Sequence, residues 1–311
     1  GFERTLRTRE REVRRSVSAA SHSASRSAMR SRRPVAAGRS NILGLPATPT
    51  LGTLVVLNAN ANRACDQPIN RTGRVAAVSN AAIVVVDTTA PAGGFSDAEY
   101  LSIATTFDTL VYSLDTAAFG APYDMDNNGR VLMFFTTAVN QLSAKNATSV
   151  IGGFFFERDI VPRVANAIVP FGCPTSNEGE MFYLPVVDAG STFNGFFTSK
   201  ATMLVDINST TVHEFQHLIN ASRRYYVTPE IVESEEAWLG EGMSHLAEEI
   251  LYLHVAGLGP KADLGFQVTT QPASRNAALI AYQVDNLSRY NGYLKATEAN
   301  SPYADNDELK E

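Results

Sequence analysis

The stretch from Thr211 to Asn220 reads TVHEFQHLIN, and it constrains this chain more than any other segment. Placed on a helix at about 100° per residue from His213, His217 falls near 40° and Glu214 near 100°, while Val212, Phe215, Leu218 and Ile219 spread over roughly 140° to 260°. One face is reactive and the opposite face is apolar, so a buried amphipathic helix is predicted here. Two imidazoles one turn apart can share a zinc ion. A carboxylate beside the first is placed to accept a proton from a water at the open coordination position. The bland alternative is a surface helix with two hydrogen-bonded histidines.

A third ligand is offered downstream. Glu236 follows His217 with eighteen residues between them, but the run Trp238-Leu239-Gly240-Glu241-Gly242-Met243-Ser244-His245 is the better context. On a helix Glu241, His245 and Glu248 share one face, with Leu239, Met243, Leu246 and Ile250 on the other. Gly240 and Gly242 would let backbone or metal approach the carboxylate closely. Glu241 is therefore the expected ligand, Glu236 the alternative and His245 the third choice. His245 is also a candidate for orienting a ligand from behind.

These motifs resemble a known pattern. His213-Glu214-x-x-His217 followed by Trp238-Leu239-Gly240-Glu241-Gly242 is similar to the gluzincin arrangement, in which a Glu on a second helix completes the site. With Asn177-Glu178-Gly179-Glu180-Met181-Phe182-Tyr183, the continuation of the first helix to Arg224, and Glu241 to Glu249, the chain from about residue 55 onward resembles the hyicolysin-like family of bacterial secreted metallopeptidases. It departs at Gly240, where related motifs carry Asn. The resemblance implies a zincin-like domain with one Zn²⁺ per chain, a protein or peptide substrate, and a secreted or cell-surface location.

The net charge of −6 hides an asymmetry, because residues 1–39 hold eleven Arg and three Glu and the remainder stands near −14. The basic excess sits in a Ser/Ala-rich leader without interleaved aromatics, so no nucleic-acid partner is expected. The longest apolar run, Ala81 to Val86, is far too short for a membrane span. Residues 1–50 are read as a charged helix over Glu3 to Val17, exposed because its apolar positions are few, and a Ser/Ala/Arg-rich linker or pro-segment that does not bury enough surface to order. Cys65 and Cys173 match no metal or redox motif and are a candidate disulfide, which would suit an exported enzyme.

Residues 51–311 are then the catalytic domain, of α+β class. Strands are expected at Thr53 to Asn60, Arg74 to Asp87 and Val131 to Thr136. Ser96-Asp97-Ala98-Glu99 is a capping box opening a long helix with Tyr100, Ile103, Ala104, Phe107, Leu110, Val111 and Leu114 at helical spacing. Asp124, Asp126 and Asn128 begin a calcium loop, but Phe135 occupies the position of the bidentate Glu, so a weak Ca²⁺ site and an Asx-rich turn both remain open. Gly152 to Phe156 is a short strand. Gly179 to Val187, split by Pro185, is expected as another strand at an edge or a strand end, with Glu180 to Leu184 either a rail along which an extended substrate could pair or a plain edge strand. Ser234 is expected to cap the second ligand helix. Beyond Gly257 the pieces are short and helical, Asp305 opens another helix as the chain stops, and the C-terminal lobe is expected to be incomplete.

The expected architecture is a mixed sheet with the active helix and a mostly helical C-terminal lobe. The expected chemistry is zinc-dependent endopeptidase action with His213, His217 and Glu241 as ligands and Glu214 as general base. Tyr290 and Tyr293 are candidate oxyanion donors by position alone. A zinc aminopeptidase is the first alternative, weakened by the absence of acidic residues to hold a free amine before the helix. A catalytically weak, metal-stabilised binding module is the second, weakened by the intact Glu214.

Overall fold

The computed structural model describes residues 2–27, 45–145, 150–193, 199–228, 236–259 and 261–301. The helix expected from Asp305 and the capping Ser234 lie outside these residues. Six strands form one mixed sheet in the order β1-β2-β3-β4-β6-β5: β1 (Leu54–Asn58), β2 (Asn70–Val78), β3 (Ala82–Asp87), β4 (Val131–Phe135), β5 (Phe154–Phe155) and β6 (Met181–Leu184). The first three are antiparallel, β3, β4 and β6 run parallel, and β5 returns antiparallel against β6. A strand buried on both faces reads as a continuous apolar run, and β3 and β4 do so. Val84 and Val86 pack toward the helices that carry the site, whereas Ile83 and Val85 face a second core that includes Leu6 and Leu45.

Two strand expectations are corrected. The single strand over Arg74 to Asp87 is a hairpin, turned at Ser79-Asn80-Ala81, where the Asp108 carboxylate accepts from all three residues. The segment Glu180 to Leu184 is not an edge, because β6 is paired with β4 on one side and β5 on the other. Pro185 follows Leu184 directly, so its missing N–H costs the ladder nothing. The edge is β5, which reaches its place because Gly153 has no side chain: a Cβ there would lie 2.9 Å from the Tyr183 carbonyl and 2.7 Å from Thr210 Cγ2.

Helix α1 spans Phe2–Ser27 and is not an exposed helix. Its apolar residues are few but correctly spaced: Leu6, Val13 and Val17 are buried, with Glu10 in the same stripe. Ordering also runs ten residues past Val17, into the Ser/Ala-rich segment. The capping box at Ser96 forms, and α2 (Asp97–Thr106) continues through a π-turn at Phe107–Val111 into α3 (Tyr112–Phe119). The extra residue of the π-turn rotates the inward face, so Asp115 rather than Leu114 is buried. A short helix, α4 (Thr137–Asn140), follows β4.

The long α5 (Lys200–Tyr226) packs its Val212, Phe215, Leu218 and Ile219 face into the main core, capped at its start by Ser199. Beside it lies α6 (Ala237–Val255). Three further helices, α7 (Phe266–Thr270), α8 (Ala273–Tyr282) and α9 (Val284–Lys295), complete the helical side. Cys65 and Cys173 are joined by a disulfide. No helix among the described residues is long and apolar enough to cross a membrane.

Candidate metal centre

His213 and His217 project from α5 because their spacing puts them one turn apart, opposite the face that the core buries. Glu241 enters from α6, which is tied to α5 by the buried hydrogen bond from Ser244 Oγ to Gln216 Oε1 at 2.8 Å. Three donor atoms converge. The two Nε2 atoms are 3.2 Å apart, and Glu241 Oε2 lies 3.4 Å from each. For a tetrahedral zinc site with bonds of about 2.05 Å, adjacent ligand atoms are separated by about 3.3 Å. The triangle therefore has the size that zinc requires.

The surroundings aim these side chains at one centre, and a metal binding there would have to displace the proton that His213 holds. Glu248, one helical face further along α6, accepts from His213 Nδ1 at 2.8 Å and so fixes Nε2 toward the centre. Burial alone would lower the His213 pKa, but its hydrogen bonds with Glu241 and Glu248 hold it well above the ordinary value. Burial, with Arg7 nearby, pushes His217 down to about 3, so its imidazole is neutral. His245 sits with Nδ1 3.4 Å from Glu248 Oε2 and its ring 5.0 Å from that of His213. It thus reaches the ligands through Glu248.

Glu214 is next to the triangle and outside it. The Phe155 amide on edge strand β5 donates to its Oε2 at 2.7 Å, leaving the other carboxylate oxygen to carry a proton. Burial raises its pKa to about 7, near where a general base works at neutral pH.

The site is also contacted from an unexpected direction. Arg7 of α1 donates through Nε to Glu241 Oε1 and through Nη2 to His217 Nε2 at 2.9 Å; guanidinium has no acceptor, so the imidazole must accept. A cation is thus already satisfied by two members of the donor set, which supports their fitness for a metal ion. Glu10 braces Arg7 at 2.7 Å, Arg14 pairs with buried Glu157, and Phe2 meets the Phe154 ring edge-on at 5.8 Å. On the other side of the triangle a cleft of about 310 Å³ opens, bounded by Gly152, Gly153, Thr210, Gln283 and Arg289. A smaller, mostly apolar pocket of about 80 Å³ adjoins it through Gly152, Asp206 and Thr210, with Phe135, Leu184, Met203 and Ile207 as walls.

The other candidates fall as follows. Glu236 stands at the N-cap of α6 beside the α1 contact, outside the donor triangle. Tyr290 and Tyr293 do not line the cleft, whereas Tyr282 and Arg289 do. Gly240 and Gly242 are not close-approach glycines: a Cβ on either would meet no described atom within 4 Å. Asp124, Asp126 and Asn128 form a separate loop beneath β4. Glu248 was within reach of sequence reading, since it shares the Glu241 face. Arg7 and the Phe155 amide carried no sequence signal.

Fold and site together define an α+β domain with a His-His-Glu donor set and an adjacent buried carboxylate. The chain is 26% identical over 158 residues, 51% of its length and 32% of the relative's, to a protein described as neutral metalloprotease ShpI from Staphylococcus hyicus. It thus spans about a third of the length of that relative. No family model matches the chain.

Proposed function

We propose that this chain is a zinc-dependent endopeptidase whose metal is held by His213, His217 and Glu241, with Glu214 as general base. The observation that carries the reading is the donor triangle, with sides of 3.2, 3.4 and 3.4 Å. The similarity to a metalloprotease supports the same class. Zinc, when bound, would supply the Lewis acid that polarises the scissile carbonyl and eases deprotonation of water. Glu214, held by the Phe155 amide, takes the proton of the attacking water and returns it to the leaving nitrogen. Glu248 keeps the His213 ring aimed, and the cleft beside edge strand β5 gives an extended peptide backbone a place to pair. The adjoining apolar pocket suits a bulky aliphatic or aromatic side chain. The disulfide fits an oxidising, extracytoplasmic compartment.

In the arrangement described, α1 covers this site, and we read residues 1–50 as a pro-segment that keeps the enzyme latent. The functional test therefore uses the full chain with a specific cleavage site engineered between α1 and β1. After cutting in the presence of zinc, an internally quenched, end-blocked peptide should be hydrolysed. Glu214→Gln should retain one zinc per chain and lose hydrolysis. If that variant loses zinc as fully as His217→Ala, Glu214 is a ligand and not the base. If only peptides with an unblocked amino terminus are cut, the aminopeptidase reading takes over.

A further inference from the structure

A second cluster of carboxylates lies away from the zinc triangle. The loop Asp124 to Gly129 turns inward with Asn127 and Gly129 in the left-handed region, at φ +57° and +66°. Its backbone is folded onto its own side chains: Asn128 N donates to Asp126 Oδ1 at 3.0 Å and Gly129 N to Asp124 Oδ2 at 2.9 Å. The loop leads into β4. On the neighbouring strand, Glu180 stands immediately before β6, anchored by its carbonyl, which accepts from Leu132 N at 2.8 Å. Carboxylate oxygens of Asp124, Asp126 and Glu180 lie within 4.8 Å of one another.

Glu180 makes this more than an acidic loop. The residue is only 3% exposed. One oxygen accepts from Met125 N at 2.5 Å, but Oε2 is buried with no hydrogen-bond partner among the described residues. A buried carboxylate with an unsatisfied oxygen and two carboxylate neighbours is costly to ionise unless a cation completes it. Arg130, which lines the same small cavity, donates instead to the carbonyls of Ser79, Ala47 and Asn128. The cavity on which Glu180, Asp126 and Asn128 open is about 10 Å³, on the scale of a single ion.

We infer that Asp124, Asp126, Asn128 and Glu180 bind one calcium ion, with Glu180 from the adjacent strand supplying the carboxylate that Phe135 cannot. The donors are all oxygen, which selects a hard cation, and a loop-plus-distant-glutamate set is too irregular for the strict octahedron of magnesium. The ion pins the starts of β4 and β6 together. It also steadies the end of the active helix, because Tyr123, next to Asp124, stacks on Tyr226 of α5 at 4.5 Å and its amide donates to Ser222 Oγ at 3.2 Å. This inference goes beyond the zinc reading and stands independently of it.

The test uses the full chain, stripped with chelator and titrated with calcium chloride by calorimetry and by Tyr123-sensitised terbium luminescence. One saturable calcium site is expected, with terbium displaced by calcium and the melting temperature raised by about 5 °C at saturation. His217→Ala should leave this binding intact, which separates the site from the zinc triangle. Glu180→Gln keeps the size of the side chain and an acceptor for Met125 N, and should weaken calcium binding at least about tenfold. Asp126→Asn gives the same readout if the Gln variant folds poorly. No saturable signal up to about 10 mM calcium, binding in Glu180→Gln equal to the parent, or tighter binding of magnesium or zinc chloride at this loop would each overturn the inference.

Discussion

Replacing Arg7 by Ala should make the chain bind zinc more tightly, although Arg7 is 234 residues from Glu241 in sequence. In the parent, a zinc ion reaching the triangle must first expel the guanidinium from Glu241 and from His217 Nε2. The pair is well buried, with side-chain exposures of 12% for Arg7 and 5% for Glu241. Breaking such a pair costs about 3 to 5 kcal/mol, and the residual exposure of Arg7 argues for the lower end. At about 1.4 kcal/mol per factor of ten, a competitor worth about 3 kcal/mol depresses apparent zinc affinity by about 10²-fold.

Arg7→Ala removes that competitor and leaves Glu241 buried with only its histidine neighbours, a deficit of positive charge that zinc relieves. Competition with a chromophoric chelator measures the change directly. Arg11→Ala is the control, because Arg11 is exposed on the same helix and among the described residues bonds within α1, to the Arg7 carbonyl at 3.4 Å and to Thr8 Oγ1 at 3.5 Å. It should shift zinc affinity by no more than a factor of about two. Leu6, Val13, Val17 and the Arg14–Glu157 pair still hold α1 in Arg7→Ala, so peptide cleavage should stay low until the chain is cut. Zinc affinity in Arg7→Ala equal to or weaker than the parent's would refute the competition.

Three further outcomes are expected. Glu241→Ala should weaken zinc retention by orders of magnitude against a chelator and Glu236→Ala should not; equal loss in both would move the third ligand. Burial raises Asp115 to about 8, and neither of its carboxylate oxygens has a hydrogen-bond partner among the described residues. The stability it contributes is fully present below its unfolded value near 3.8 and is lost as pH rises through about 8, at up to about 1.4 kcal/mol per pH unit. Denaturant melts at pH 5, 6, 7 and 8 should therefore show a shallower decline for Asp115→Asn, and parallel declines would exclude Asp115 as the source. Replacing Cys65 and Cys173 by Ser removes a crosslink across 108 residues and should cost about 2 to 4 kcal/mol in the same assay.

Much of the candidate site is readable in the sequence because its parts are local. His213, Glu214 and His217 share one turn and one apolar-backed helix, so the 3.6-residue period is enough to place them. The capping box at Ser96 and the strand over Val131 to Phe135 were legible for the same reason. Errors arose where a local pattern has two continuations. The run from Arg74 to Asp87 carries β-branched residues on both sides of Ser79-Asn80, and only the Asp108 side chain, 28 residues from Asn80, decides that the chain turns there. That β6 is internal is not legible in the sequence, because strand order depends on where the two-residue β5 docks, and that depends on Gly153 meeting α5 and β6 closely. For helix α1 the spacing of the apolar residues outweighs their small number: Leu6, Val13 and Val17 suffice once a groove exists to receive them.

What sequence reading missed has one physical character. Arg7 on Glu241, Arg14 on Glu157 and Glu180 beside Asp124 and Asp126 are all charge placements across elements far apart in the chain, and charge has no periodicity to betray its partner. A buried carboxylate must find a cation or stay protonated, as Asp115 does, so the useful question for each is which positive group reaches it. For Glu241 the structure answers with Arg7, and for Glu157 with Arg14. Glu180 Oε2 meets no donor among the described residues, while the adjacent arginine, Arg130, turns to carbonyls. On the proposed reading that difference separates the two acidic groups: the Glu241 site would exchange an internal cation for a metal when α1 leaves, whereas the Glu180 site would take its cation from solution whether or not α1 is in place. Calcium affinity measured before and after cutting between α1 and β1 should accordingly be the same within about twofold, while zinc affinity rises about 10²-fold.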